Sequence, residues 1–320
     1  MNMNIMTLGK RSESPAARLS PRVIGTAQVL LSTFCFGAIG IFAKLAYASG
    51  LDSPTLLALR FAVAAAVLWL YFMVSNRAVI RIGRKELATC AALGLAGYGI
   101  FSSLVFKAYE STPASVAGLL FFIYPVFVIL IDWAISRKRP GMSLWMGALV
   151  ILGGIAVGVF GTMGGHLAVG LLLAVAGGAW YAAYVVTTRR LLNDLNPQTV
   201  ALYVTTFAAV GFFLMGGPVL SHIGRVTGRG WLVVVAIAVI STVGALLSFF
   251  SGLDKLGSSE ASQIGTFELI VTLALATLVL GEAITLPLVM GAAFILAGML
   301  MGQLKLSPRG RECPDDLPCR

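Results

Sequence analysis

Ten long apolar stretches, separated by short polar loops, dominate this 320-residue sequence. A helix that spans a bilayer needs roughly 20 mostly apolar residues, and in hydrocarbon its backbone groups must bond within the segment. With only 11% charged residues, the chain has little polar surface with which to stay in water. The pattern predicts an all-α polytopic membrane protein whose helices cover about residues 23–47, 55–75, 87–109, 114–135, 142–161, 167–188, 198–217, 231–253, 261–281 and 286–303.

The second half of the sequence repeats the first at an offset of 144 residues. Gly147 and Gly154, for example, correspond to Gly291 and Gly298. Each copy contains five spans, and because five is odd, the second copy must enter the membrane from the opposite side. We therefore predict two inverted five-helix repeats, a common architecture of secondary carriers. Their bounds are residues 23–161 and 167–303, between an N-terminal tail (1–22) and a C-terminal tail (304–320).

Basic residues divide unequally between the two sides that this topology defines. Counted by loop, 18 of the 23 Lys and Arg residues lie on the side of the N-terminus, and three, Lys107, Arg225 and Arg229, lie on the other. Because basic loops stay in the cytoplasm, we expect an inner (cytoplasmic) membrane protein with both termini cytoplasmic. The net charge of +10 is dispersed over these loops and forms no single basic face, which argues against a nucleic-acid partner.

Several short motifs occur in a characteristic order along the spans. They are Phe36-Gly37, Leu59-Arg60-Phe61, Phe267-Glu268 and Gly281-Glu282. This order resembles the EamA-type branch of the drug/metabolite transporter superfamily, over essentially all of residues 23–303. The family usually has Trp where Phe36 stands, and Pro where Leu269 stands. The resemblance implies a ten-helix carrier, commonly an exporter of amino acids or other small metabolites, or a carrier of drug-like compounds.

Three classes of function are compatible with such a chain. Inverted repeats and a buried acidic residue favour a secondary active transporter, an exporter or exchanger of amino acids or related amphipathic metabolites that works by alternating access. A lipid-modifying membrane enzyme would need His, Asp or Glu clusters at a membrane surface, and a channel a continuous polar pore lining. The sequence shows neither pattern, nor a phosphate-binding loop or metal-ligand spacing, so we expect no enzyme, cofactor or metal. The expected partners are the lipid bilayer, a small-molecule substrate and protons, and a homodimer is left open.

Glu268 is the first candidate for the site. It lies about eight residues into the ninth span, roughly 12 Å deep at 1.5 Å per residue, where an acidic side chain costs about 2.5–3.5 kcal/mol to insert. Such a residue couples protons, binds a substrate amine, or is hydrogen-bonded by neighbouring helices. Its counterpart in the first repeat is Tyr124, which predicts a half-aromatic site.

Further candidates are aromatic and basic residues of other spans. The aromatic ones expected to face a cavity are Phe36, Tyr98, Phe101, Trp180, Tyr181 and Tyr184. Lys44 and Arg60 are expected near the outer face, where long basic side chains snorkel toward water. Arg60 could also meet a substrate carboxylate or an acidic side chain. The repeated glycines, such as Gly154 and Gly298, suit close helix packing, either within the protein or between two protomers.

Overall fold

The computed structural model describes residues 20–137, 139–160, 168–192, 194–214, 223–224 and 226–303. Within these residues it has ten helices that are long and apolar enough to span a membrane. They are α1 (Pro21–Gly37 and Ile39–Ala48), α2 (Ser53–Ser75), α3 (Arg84–Ser111), α4 (Ala114–Phe121 and Tyr124–Ser136), α5 (Met142–Phe160), α6 (Ala168–Leu191), α7 (Pro197–Leu214), α8 (Gly228–Leu256), α9 (Ser258–Gly265 and Glu268–Leu280) and α10 (Leu286–Gln303). The ten predicted spans are confirmed.

Local sequence explains where several of these helices begin. The Asp52 carboxylate accepts a hydrogen bond from the Thr55 backbone N–H at 3.3 Å, and Pro54 follows in the first turn of α2. The Thr227 hydroxyl accepts from the Gly230 N–H in the same way at the start of α8. A side-chain oxygen before the helix satisfies a backbone donor that has no partner within it, and proline has no such donor to satisfy.

Two spans, α4 and α9, are broken at equivalent positions. The break in α4 lies at Phe122 and Ile123, and that in α9 at Thr266 and Phe267, which is the 144-residue offset of the sequence repeat. Pro125 accounts for the first break, since it supplies no backbone N–H to the preceding turn. The second break occurs although Leu269 replaces the proline. Half-helices of this kind are typical of transporter sites near the bilayer midplane.

Two other spans, α3 and α8, each contain one π-helical segment. These segments cover Leu93–Tyr98 and Val239–Gly244, again at nearly equivalent positions of the two repeats. A π-helical turn interrupts the regular hydrogen-bond pattern and is frequently found at functional sites. The pairing of these irregularities in α3, α4, α8 and α9 is what two copies of one five-helix unit would produce, whereas the interruption of α1 at Ala38 has no counterpart in α6.

The packing of the helices follows the same symmetry. Helix α1 packs against α8 and, correspondingly, α6 packs against α3. The pairs α2–α7 and α5–α10 each join a helix to its own counterpart. Every one of these contacts therefore joins the two halves of the chain, so that the bundle is a ten-helix structure of two inverted repeats.

The contact between α5 and α10 shows whether the repeated glycines pack within the protein or between two protomers. A Cβ placed on Gly154 would lie 2.6 Å from the backbone oxygen of Gly291, and one placed on Gly147 would lie 2.5 Å from that of Gly298. No side chain fits at such distances, because backbone atoms of the two helices meet directly. These glycines pack within the chain.

Candidate functional site

A central cavity of about 60 Å³ lies between α1, α2, α3, α4 and α9. Five of the predicted site residues line it, namely Phe36, Arg60, Tyr98, Phe101 and Glu268. The cavity lies around the breaks of α4 and α9 and the π segment of α3, so irregular backbone surrounds it on several sides. Irregular backbone at membrane depth is tolerated where it lines a cavity.

Glu268 is the first residue of the second half of α9. The N-terminus of a helix carries a partial positive charge, which favours an anion at this position. The side chain is half-buried, and its carboxylate has no hydrogen bond or ion pair within the part of the chain that the structure describes. No described group of the neighbouring helices therefore forms a hydrogen bond with the Glu268 carboxylate. The carboxylate remains available to a solute or a proton.

Arg60 lies about 10 Å into α2 from Ser53, and it is only 2% exposed. The expectation that its guanidinium snorkels to water is wrong, because α2 is enclosed by α3, α7 and α8 at this depth. Its Nε donates to the Thr242 hydroxyl at 2.9 Å, and its Cζ lies 5.0 and 5.1 Å from the ring centroids of Phe61 and Phe106. Such cation–π contacts stabilise a desolvated guanidinium.

No ion pair joins Arg60 to Glu268 in the described residues. The ion pairs seen there lie at helix ends and join Arg22 to Glu260, Lys107 to Glu110 and Arg190 to Asp132. Among the described residues, the walls of the central cavity thus contain one basic side chain, Arg60, and one acidic side chain, Glu268, and the two are not paired. Unpaired charges in an apolar interior are costly, so they are characteristic of binding and coupling sites.

Aromatic side chains form one side of the site. We call Tyr98, Phe101, Phe121, Tyr124, Tyr181 and Tyr184 the aromatic wall. Neighbouring rings in this wall have centroids between 4.8 Å, for Phe101 and Tyr181, and 6.1 Å, for Tyr181 and Tyr184. Tyr98, Phe101 and Phe121 of this wall line the central cavity, whereas Tyr184, Tyr181 and Tyr124 are not among its lining residues and pack against these three rings.

Trp180 does not belong to this wall. It is 42% exposed at the outside of the bundle, and its indole Nε1 donates at 3.0 Å to the backbone oxygen of Ala96 in the π segment of α3. The cavity-facing position expected for Trp180 is therefore wrong. Successive residues of a helix point about 100° apart, so Trp180 and Tyr181 cannot share a face, and the structure brings Tyr181 into the wall.

The sequence predictions missed Tyr109 and Thr242. Tyr109 lines the central cavity, and it lies on the face of α3 that also carries Tyr98, Ser102 and Val105. That spacing of four, three and four residues is a helical-face signal that could have identified it. Nothing in the sequence pointed to Thr242, whose role depends on the packing of α8 against α2.

A second cavity, of about 340 Å³, lies between α3, α6, α7 and α8. Its lining includes Thr188, Arg189 and Phe250, and it meets the central cavity at Tyr98. We call the end of the bundle where α1 begins, which carries the α2–α3, α4–α5, α6–α7 and α8–α9 loops, the basic face. The second cavity extends from Tyr98 toward this face.

At the opposite end of the bundle, a side chain that caps a helix joins the two repeats. The Glu282 carboxylate accepts hydrogen bonds from the Ala114 N–H at 2.7 Å, the Ser115 N–H at 3.0 Å and the Ser115 hydroxyl at 2.5 Å. These bonds join the α9–α10 loop to the start of α4, across the two repeats. Below them, the Tyr109 ring packs so closely on Gly40 that a Cβ there would lie 2.9 Å from it.

Lys44 lies at the same end and is half-buried, as expected for a basic residue near the outer end of its helix. It shares a surface opening with Glu110 and Glu282. The Glu110 carboxylate accepts hydrogen bonds from the Ser53 N–H at 2.9 Å, from the Ser53 hydroxyl and from Lys107. This end therefore carries acidic groups that bind backbone donors, in contrast to the basic face.

A ten-helix bundle with half-helices and unneutralised charges around a central cavity defines a polytopic membrane protein of the transporter class. The profile of the EamA-like transporter family matches residues 23–160 and 168–302, and the chain belongs to that family. Because the two matches cover the two five-helix halves in turn, the family assignment agrees with the internal repeat.

Individual relatives agree with this assignment. The uncharacterized transporter YcbK of Bacillus subtilis is 26% identical over 307 residues, which cover 90% of this chain and 96% of the relative. The uncharacterized transporter YwfM of the same organism is 24% identical, over 89% and 94% of the two chains. A solved crystal structure superposes with a TM-score of 0.59 at 23% identity, covering 89% of this chain and 98% of the other, which supports the fold.

Proposed function

We propose that the protein is a secondary transporter, an exporter or exchanger, of small metabolites that carry a carboxylate and an amine, such as amino acids with apolar side chains. One observation carries the proposal: Arg60 and Glu268 line the same cavity, and neither has a charged partner in the described part of the chain. A zwitterion between them would pair both charges at once, the carboxylate with Arg60 and the amine with Glu268. The aromatic wall would accommodate an apolar or aromatic body, since flat rings pack well against one another.

The two ends of the bundle support transport by alternating access. At the end opposite the basic face, the Glu282 bonds to α4 join the two repeats, and Tyr109 packs on Gly40. The basic face, in contrast, has the second cavity leading to Tyr98. Opening the end at Glu282 requires the helix-capping bonds between the repeats to break, and closing the other requires α6, α7 and α8 to approach α3. Inverted repeats provide such an exchange of conformations.

Transport in proteoliposomes tests the proposed substrate class. We expect labelled phenylalanine to show saturable uptake and counterflow, with phenethylamine, which lacks the carboxylate, and 3-phenylpropionate, which lacks the amine, as weaker competitors. Each missing charge removes a charge-assisted interaction of about 1.5–3 kcal/mol, which corresponds to roughly 10- to 100-fold in affinity. Liposomes without protein are the control. Flux that neither saturates nor shows counterflow would indicate a channel instead, and three equally effective competitors would contradict recognition of both charges.

We propose further that the basic face lies in the cytoplasm of the cell and that the chain resides in the inner membrane. Two glycines make a matched pair for cysteine labelling. Gly141 lies in the α4–α5 loop on the basic face, and Gly228 begins α8 at the other end; both are exposed. A Cβ at Gly228 meets no atom within 4 Å, and one at Gly141 only a serine hydroxyl at 3.9 Å.

In a background without the four native cysteines, Gly228→Cys should react with a membrane-impermeant maleimide in intact cells. Gly141→Cys should react only after permeabilisation, because the membrane separates it from the reagent. The reverse labelling pattern would show that the termini face outward.

A further inference from the structure

Arg60 is held by one side-chain hydrogen bond, and that bond comes from the other repeat. Its Nε donates to the hydroxyl of Thr242 on α8 at 2.9 Å, and both residues are 2% exposed. A guanidinium has five N–H donors, and the other four have no hydrogen-bond partner among the described residues. These four belong to the two terminal nitrogens, the groups that bind a carboxylate in a bidentate manner.

The hydroxyl of Thr242 is available to Arg60 only as an acceptor. Its single proton is donated to the backbone oxygen of Ile237 at 3.1 Å. Threonine hydroxyls in regular helices bond to a carbonyl three or four residues back, whereas Ile237 is five residues back, because Thr242 lies in the π segment Val239–Gly244. The irregular turn therefore determines the direction of the hydroxyl proton and leaves an oxygen lone pair for Arg60.

We propose that Thr242 is a positioning residue: it orients the Arg60 guanidinium so that both terminal nitrogens meet the carboxylate of the solute. This inference rests on the proposed function, in which Arg60 binds that carboxylate. Phe61 and Phe106 contact the guanidinium but bond to none of its nitrogens, so the Thr242 hydroxyl is the one described group that sets its rotation. The carboxylate subsite is thus built jointly by α2 of the first repeat and α8 of the second.

The equivalent segment of the first repeat makes no such contact. In the π segment of α3, the exposed indole of Trp180 donates to the backbone oxygen of Ala96, and no basic side chain of the described residues donates a hydrogen bond to a side chain of this segment. The contact between Arg60 and Thr242 therefore has no counterpart at the equivalent π segment of α3, so the site is asymmetric although the fold is symmetric.

Two substitutions at Thr242 separate positioning from packing. Thr242→Val keeps the shape and removes the hydroxyl, whereas Thr242→Ser keeps the hydroxyl. Binding is measured by ligand-induced thermal stabilisation of purified protein and by competition in counterflow. Phenylalanine binding should be weakened about tenfold in Thr242→Val, because the lost hydrogen bond involves the charged guanidinium. It should be unchanged in Thr242→Ser. Binding of phenethylamine, which has no carboxylate, should be unchanged in both variants. Thr242→Ala provides a second variant without the hydroxyl if Thr242→Val does not fold.

Arg60→Gln in the same assays separates carboxylate binding by Arg60 from the positioning of Arg60 by Thr242. The proposed function requires this variant to lose the preference for phenylalanine over phenethylamine. If Arg60→Gln loses this preference and Thr242→Val retains it, Thr242 has no positioning role. The inference then fails, and the proposed function stands. Equal weakening of both ligands by Thr242→Val, together with a lower melting temperature, would also overturn it, because that result indicates a structural role. If Arg60→Gln keeps the preference, or the wild-type protein binds neither compound, the proposed function fails and the inference with it.

Discussion

Glu268→Gln should abolish transport while leaving the fold intact. The substitution keeps the size of the side chain and removes the only acidic group that the described residues place in the wall of the central cavity. Because no described group pairs with the carboxylate, its loss breaks no bond of the folded protein. The binding of a substrate amine, in contrast, would lose a charge-assisted contact in a site of low dielectric, where removing one partner of a buried pair costs about 2–5 kcal/mol, roughly 30-fold or more in affinity.

The measurement is counterflow of labelled phenylalanine together with uphill flux driven by a pH gradient. We expect both to fall, with phenethylamine losing affinity and 3-phenylpropionate retaining it. Glu260→Gln is the matched control, since Glu260 is a half-exposed residue of the same helix that pairs with Arg22 at the surface, and exposed pairs contribute little.

Other outcomes would change the role of Glu268. Loss of pH-driven flux with counterflow preserved would show that the carboxylate carries a proton and does not hold the amine. Wild-type affinity, flux and pH dependence would remove Glu268 from the mechanism and leave the aromatic wall as the site.

Gly154→Leu should prevent stable assembly of the bundle. A Cβ at this position would lie 2.6 Å from the Gly291 backbone oxygen and 3.0 Å from the Ile295 backbone nitrogen, so the clash involves backbone that no rotamer change relieves. Helices α5 and α10 would have to separate along a contact that joins the two repeats. Overpacking of this kind costs typically about 1–3 kcal/mol, and more where the backbone must shift. Detergent-purified Gly154→Leu should therefore have a lower melting temperature or a lower yield of monodisperse protein.

The neighbouring residue supplies the control. Gly153 is exposed on the outside of α5, and a Cβ there would meet no atom within 4 Å. Gly153→Leu should therefore keep wild-type stability, and any Gly154→Leu protein that folds should keep the wild-type preference among substrates. Normal stability of Gly154→Leu with altered substrate preference would reassign this glycine to the binding site.

The sequence located the acidic half of the candidate site because membrane insertion makes a charge conspicuous. Glu268 stands out in an apolar span, and its position could be estimated from the length of that span alone. The break at Thr266 and Phe267 was not predictable from the residues, since Leu269 does not interrupt a helix as proline would. Placing Glu268 at a helix N-terminus required the packing of α9 against α1 and α4.

For the basic half of the site, the sequence identified Arg60 as a candidate residue but did not predict the side chains that surround it. Arg60 near a helix end suggested snorkelling, because the sequence does not show what covers a side chain from neighbouring helices. The contact with Thr242 joins residues 182 positions apart, and no local pattern specifies such a pair. The aromatic residues were ambiguous for the same reason: adjacent Trp180 and Tyr181 are equally plausible in the sequence, and the rotation of α6 in the bundle decides which one faces inward.

By itself the sequence determined the number, position and helical character of the ten spans and the inverted relation of the two halves, because hydrocarbon imposes length, composition and internal hydrogen bonding on each span separately. Tertiary structure alone decided which side chains meet around the cavity, that Arg60 and Glu268 have no charged partner among the described residues, and that Glu282 joins the start of α4 across the two repeats. These properties depend on contacts between helices distant in the chain, where neighbouring backbones and single hydroxyl groups, rather than hydropathy, determine the position of each polar atom.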